Sequence, residues 1–197
     1  MDATLNQTLP PHSSRISFVL VRPSHPGNIG AAARAIKTMG FTDLRVVAPV
    51  DPEYRTHPDA VAFSTSSVDV LTDSRDYPTL EEALSDVALP FAMTGYSRRF
   101  GPALETMRES ADRASLWAEE NKGLGIAFVF GCERSGLTNE EVGLCRFATA
   151  IPANPLSQSL NLAQAVQIAA YEMHMALLQR AHAAGLYGWQ QRFEQDP

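Results

Sequence analysis

ISFVLVRPSHPGNIGAAARAIKTMGFTDLRVVA, residues Ile16 to Ala48, is the stretch that decides the fold. Ile16–Val21 is a continuous apolar run, short enough for a buried strand and too short for a helix. It runs directly into Arg-Pro-Ser-His-Pro-Gly-Asn, where Asn28 is placed to cap a helix. That helix continues through Met39, and Gly40 is suited to end it. Leu44–Ala48 is the next apolar run. Strand, helix and strand joined by short connections make one βαβ unit, whose strands run parallel.

The same alternation extends along the chain. Phe91–Tyr96, Gly125–Gly131 and Phe147–Pro152 read as further strands, and Gly125–Gly131 is the most strand-like of all. Helices are expected near Asp59–Thr65, over Thr79–Val87, Glu105–Asn121 and Thr138–Cys145, and finally over Leu160–His182. In the last of these, Leu162, Val166, Ala169, Met173 and Leu177 recur at spacings of three and four, the mark of a core-facing stripe. Short apolar strands alternating with helices imply an α/β fold with a mostly parallel sheet covered by helices on both faces. Met1–Ser14 is polar and proline-bearing and reads as a loose tail. The expected organisation is a flexible tail over 1–15, one domain over 16–182 and a C-terminal tail over 183–197.

Composition narrows the function classes. At 197 residues with 45% hydrophobic and 19% charged residues, the chain is neither disordered nor fibrous. No apolar run approaches the roughly 20 residues that span a bilayer, and no signal peptide is visible, so a cytoplasmic location without membrane association is expected. Cys132 and Cys145 form neither a disulfide framework nor a zinc pattern, and the five histidines include no HExxH pair, so no metal is expected. The formal net charge of −6 argues against a broad basic footprint but leaves room for a local one. Fourteen of the sixteen basic residues are Arg, which grips phosphate bidentately, although a general preference for Arg explains this equally.

In parallel sheets, ligands sit beyond the carboxyl ends of the strands. The loops to examine therefore follow Val21, Met93, Phe130 and Ile151. The first opens into His25–Arg34. Gly27 and Gly30 there allow close backbone approach, and the alanines at 31–33 and 35 leave room for another chain or a ligand. Arg34 shares a helix face with Gly30 and is either functional or a solvated helical arginine. Thr94-Gly95-Tyr96-Ser97-Arg98-Arg99 follows the next strand, and its paired arginines either hold phosphate or form a loose surface pair. Gly131 to Leu137 is a polar, glycine-bearing turn. The loop from Asn154 to Leu160 ends in a crowded junction of Ser157, Ser159 and Asn161. One of those serines is expected as the helix cap, which leaves Asn161 for a hydrogen-bonding role.

SHPGNIGAAARAIKTMGF (Ser24–Phe41), FVFGCERSGLTNEE (Phe128–Glu141) and IPANPLSQSLNLAQAVQIAAYE (Ile151–Glu172), taken in order, resemble the three motifs of the SPOUT, or α/β-knot, methyltransferases. The likeness is greatest to the TrmJ-type tRNA 2′-O-methyltransferases and covers about residues 16–180. It implies a C-terminal trefoil knot, a homodimer, and S-adenosyl-L-methionine as cofactor. By position, the cofactor would touch Thr94, Gly95, Tyr96, Gly131, Ile151, Gln158, Ser159 and Leu160. The substrate implied is an RNA ribose 2′-hydroxyl, in tRNA rather than rRNA, with an anticodon-loop cytidine or uridine favoured. Asn28, Arg34, Arg98, Arg99 and Glu133 are the RNA-binding candidates. Arg34, Ser159 and Asn161 are the catalytic ones.

An arginine is too basic to act as a base. The role expected of Arg34 is to lower the hydroxyl's pKa by its charge and to fix a neighbouring phosphate, while Ser159 and Asn161 orient the ribose. Glu133 is expected to pair with Arg34 or Arg99. Relatives acting on tRNA commonly carry a C-terminal extension. Either the tail at 183–197 begins one that is missing, or substrate selection differs. Two other classes compete: a non-catalytic RNA-binding module, and a hydrolase with Cys132 on a turn resembling a nucleophile elbow, for which only His25 lies in an obvious partner loop.

Overall fold

The computed structural model describes residues 11–95, 101–121 and 123–185. Its strands are β1 (Ile16–Val21), β2 (Asp43–Val47), β3 (Arg75–Tyr77), β4 (Val87–Met93), β5 (Leu104–Thr106), β6 (Gly125–Phe130) and β7 (Phe147–Ala150). They form one sheet in the order β3-β2-β1-β6-β4-β7-β5, and every neighbouring pair is parallel. The sheet expected as mostly parallel is therefore wholly so among the described residues. The two edge strands β3 and β5 were not expected, and the strand anticipated at Phe91–Tyr96 starts earlier and stops at Met93.

The helices are α1 (Pro26–Thr38), α2 (Pro58–Ser64), α3 (Val68–Thr72), α4 (Leu80–Ala83), α5 (Met107–Glu120), α6 (Asn139–Gly143) and α7 (Leu162–Ala183). The alternating side chains of each central strand feed two cores. Ile16, Phe18 and Leu20 of β1 face α1, α5 and α7. Val19 and Val21 face the one-turn helices α4 and α6, through Leu80, Ala83 and Val142. The α7 stripe, from Leu162 to Leu177, is buried throughout. Within the larger core a row of rings crosses four adjacent strands in register. Phe18, Phe128, Phe91 and Phe147 have successive centroid separations of 6.0, 5.1 and 5.5 Å.

Three local expectations need correction. Helix α1 begins at Pro26, two residues before Asn28, because the fixed φ of proline suits the first helical position. The glycines of α1 serve packing within the chain. A Cβ on Gly30 would lie 2.0 Å from the carbonyl oxygen of Ala60 in α2, and Ala32, Ala33 and Ala35 are buried in the core. At the N-terminus, residues expected in a loose tail include a docked 3-10 turn, Ser13–Arg15, whose Arg15 guanidinium donates to the carbonyls of Ala118 and Asn121 at the end of α5. Among the described residues no helix is long and apolar enough to cross a membrane.

Candidate functional site

The carboxyl ends of β4, β6 and β7 open into one cavity of about 350 Å³. Met93, Phe130 and Thr149 come from the strand ends. The walls are Thr94 and Gly95 after β4, the turn from Gly131 to Gly136 after β6, Ile151 after β7, and Gln158, Ser159, Leu160 and Leu162 leading into α7. Seven of the eight residues expected at a cofactor thus come from four separate segments to a single space. The eighth, Tyr96, lies outside the described residues, as do Arg98 and Arg99.

The backbone shapes this space. A Cβ on Gly131 would sit 2.0 Å from the carbonyl carbon of Gly136 and 2.2 Å from the nitrogen of Leu137. The turn folds directly back onto the strand end, and a bridge between Cys132 and Gly136 closes it. Gly136 makes the reversal at φ +68°, which glycine adopts without strain. On the wall after β4, a Cβ on Gly95 would meet nothing within 4 Å, so the chain leaves open room at that point. Thr94 is fixed by its backbone N–H, which donates to the carbonyl of Thr149 at 2.8 Å.

Beside the cavity a polar cluster ties three segments together. Glu133 accepts from the Ser24 backbone N–H at 2.9 Å, the Ser24 hydroxyl at 2.7 Å and Asn28 Nδ2 at 2.8 Å. Burial disfavours the Glu133 carboxylate, but hydrogen bonds from Asn28, Ser24 and its own backbone outweigh it and bring the carboxyl down to about 2. Asn28 Oδ1 in turn accepts from Asn161 Nδ2 at 3.0 Å. The expected pairing of Glu133 with Arg34 or Arg99 is thereby corrected for Arg34. Both carboxylate oxygens are taken by donors at the start of α1, and Arg99 is outside the described residues.

Asn161 itself caps α7, accepting from the backbone N–H groups of Ala163 and Gln164. The cap is therefore the asparagine and not a serine, which leaves the Ser159 hydroxyl exposed and without a hydrogen bond among the described residues. Ser24 escaped notice in the sequence, because nothing local to it reveals a partner more than one hundred residues away.

Arg34 does not line this cavity. It borders an adjoining groove with Ala31, Thr38, Asn161, Gln164 and Gln167. It is exposed, and its guanidinium makes no hydrogen bond or ion pair among the described residues. Asn161 stands in that groove while Ser159 lines the cavity, so the approach to α7 forms a ridge between the two spaces.

The hydrolase alternative finds no base. Cys132 lines the cavity, but no histidine does so. Burial raises the Cys132 thiol, while hydrogen bonds from Ser135 and the Arg134 backbone more than offset it and leave the thiol below its ordinary value. Among the described residues there is also no group of three or more metal-ligating side chains.

Comparison with known proteins places these features in a family. The pattern of the SpoU rRNA methylase family matches residues 15–171. The TrmJ tRNA (cytidine/uridine/adenosine-2′-O-)-methyltransferase of Pseudomonas aeruginosa is 46% identical over 164 residues, which is 83% of this chain and 62% of that protein. The chain thus spans less than two thirds of the length of that relative. The crystal structure of a probable methyltransferase from Bordetella pertussis is 48% identical, covers 84% of this chain and 98% of that one, and has a TM-score of 0.80. The TrmJ structure from Z. mobilis is 39% identical, covers 80% of this chain and 67% of that one, and has a TM-score of 0.73.

Proposed function

The chain belongs to the SpoU rRNA methylase family, and from that premise we propose that it is an S-adenosyl-L-methionine-dependent RNA methyltransferase acting on a ribose 2′-hydroxyl, with tRNA as the favoured substrate. The observation that carries this reading is the convergence of Thr94, Gly95, Gly131, Ile151, Gln158, Ser159 and Leu160 on one cavity. The cavity suits the cofactor in size and chemistry. Its 350 Å³ falls in the range of small-molecule sites, and its strand-end backbone and open Gly95 wall admit a nucleoside beside apolar Ile151, Leu160 and Leu162. Bound there, S-adenosyl-L-methionine supplies an electrophilic methyl group on a positively charged sulfur.

The chain's own residues align and activate the acceptor. The ridge from Ser159 to Asn161 stands between the cavity and the Arg34 groove, so a ribose laid over it lies within reach of both. Holding donor and acceptor in line supplies much of the acceleration. Arg34, with its guanidinium unengaged, stabilises the developing oxyanion by charge. The Ser159 hydroxyl orients the sugar. Asn28, Glu133 and Asn161 hold the start of α1, the turn after β6 and the start of α7 in mutual register. The same reading includes the trefoil knot, the homodimer and action in the cytoplasm.

The test is transfer of tritiated methyl from S-adenosyl-L-methionine to total tRNA and to ribosomal RNA, followed by mapping of the modified ribose. Label is expected in tRNA, absent when the mapped position is 2′-deoxy, and lost with Arg34→Ala. Label confined to ribosomal RNA overturns the choice of substrate. No transfer and no cofactor binding by calorimetry would leave a non-catalytic module.

A further inference from the structure

Eight of the eleven described arginines direct their guanidinium to a carboxylate or a backbone carbonyl. They are Arg15, Arg22, Arg45, Arg55, Arg75, Arg108, Arg113 and Arg180. Three do not: Arg34, Arg134 and Arg146. In a chain of net charge −6, a free arginine is the exception, and its place is informative. Arg146 stands immediately before β7, at the amino edge of the parallel sheet and away from the site. Arg34 and Arg134 both stand at the site, one in the groove and one at the cavity. Glu133 does not quench its neighbour Arg134, because its oxygens are turned to Ser24 and Asn28.

We propose that Arg134 is an RNA phosphate-binding residue, which holds a backbone phosphodiester of the substrate on the cavity side of the Ser159–Asn161 ridge. This rests on the RNA methyltransferase reading above. The argument is one of placement and charge. A strand whose ribose lies on the ridge presents phosphates to either side of it, and the two residues that carry the site's unengaged guanidiniums line the spaces on its two sides, Arg134 the cavity and Arg34 the groove. A guanidinium meets a phosphate bidentately, and an exposed one reaches it without the cost of deep burial. The other anion within reach of the cavity is the cofactor's carboxylate, and the two sources are separable by experiment.

Binding of labelled tRNA is measured by fluorescence anisotropy across a potassium chloride series, without cofactor, for the wild-type chain and for Arg134→Gln, Arg134→Lys and Arg146→Gln. Unfolding midpoints confirm that each is folded. Arg134→Gln is expected to weaken RNA binding about tenfold. It should also reduce the slope of log affinity against log salt by about 1. Arg134→Lys retains the slope, Arg146→Gln matches wild type, and S-adenosyl-L-methionine affinity by calorimetry is unchanged in all. An unaltered salt slope in Arg134→Gln overturns the proposal. An unaltered slope joined to a tenfold weaker cofactor assigns Arg134 to the cofactor carboxylate instead. A wild-type chain that neither transfers methyl nor binds RNA overturns the underlying reading, an outcome distinct from either.

Discussion

Glu133 holds its charge through donors that belong to a different element. Ser24 gives both its backbone N–H and its hydroxyl, and Asn28 gives its amide. The carboxyl ordinarily titrates at 4.5 and here at about 2, so the folded chain binds fewer protons than the unfolded one between those values. The resulting stability is present in full above 4.5 and is lost as pH falls from 4.5 towards 2. Glu133→Gln lacks this contribution and turns an amide N–H towards groups that are already donors. Urea unfolding is expected to show the variant less stable than wild type at neutral pH. The gap should narrow as pH falls through that window, because the protonated wild-type carboxyl loses the same charge. A gap that stays constant across the series would mean that shape, and not charge, holds the cluster.

At the scale of elements, the turn after β6 and the wall after β4 make opposite demands of glycine. Gly131→Ala drives a Cβ into backbone atoms 2.0 and 2.2 Å away, which cannot yield as a flexible side chain would. Such overpacking costs about 1–3 kcal/mol. It also displaces the turn that walls the cavity, so S-adenosyl-L-methionine binding by calorimetry should weaken as well. Gly95→Ala adds a Cβ in open space, and its stability should stay within about 0.5 kcal/mol of wild type. Weakened binding in that variant alone would report that the cofactor fills the space, and unaltered binding would place it elsewhere. The sequence made the five central strands legible because each has a largely apolar stretch, and β1 and β6 at the centre are buried on both faces. Edge strands β3, Arg75-Asp-Tyr, and β5, Leu104-Glu-Thr, carry no such pattern. Their conformation is imposed by the backbone of β2 and β7 alongside. The rule that ligands gather beyond carboxyl ends pointed to the loops that line the cavity, whereas the caps of α1 and α7 were given to Asn28 and to a serine, because Pro26 and Asn161 outcompete them locally.

Across the whole molecule, the two edges of the sheet have different duties. The carboxyl edge leaves Arg34 and Arg134 unengaged, while the amino edge, Arg146 apart, ties Arg45, Arg75, Asp43 and Asp86 into one internal cluster. Arg45 is only 3% exposed although it sits within the apolar run of β2. It donates to Asp43 at 2.9 Å and to the carbonyl of Ala83 at 2.6 Å, and it pairs with Asp86. Asp43 also accepts from Ser17 at 2.6 Å and Arg75 at 2.8 Å. No local pattern in the sequence identifies these partners, since Asp86 lies forty-one residues away and arrives only when β4 takes its place. Arg45→Met keeps most of the side-chain volume but removes the guanidinium that Asp43 and Asp86 share, leaving Asp43 with Ser17 and Arg75. Breaking a buried ionic cluster so that a charge is left uncompensated costs about 3–5 kcal/mol, and the retained Arg75 partner holds the loss below that. Chemical denaturation should show that loss. Initial methyl-transfer rates, taken at a temperature where the variant remains folded, should retain the wild-type kcat/KM. A stable variant with a depressed rate would show instead that the amino edge is coupled to the site across the sheet.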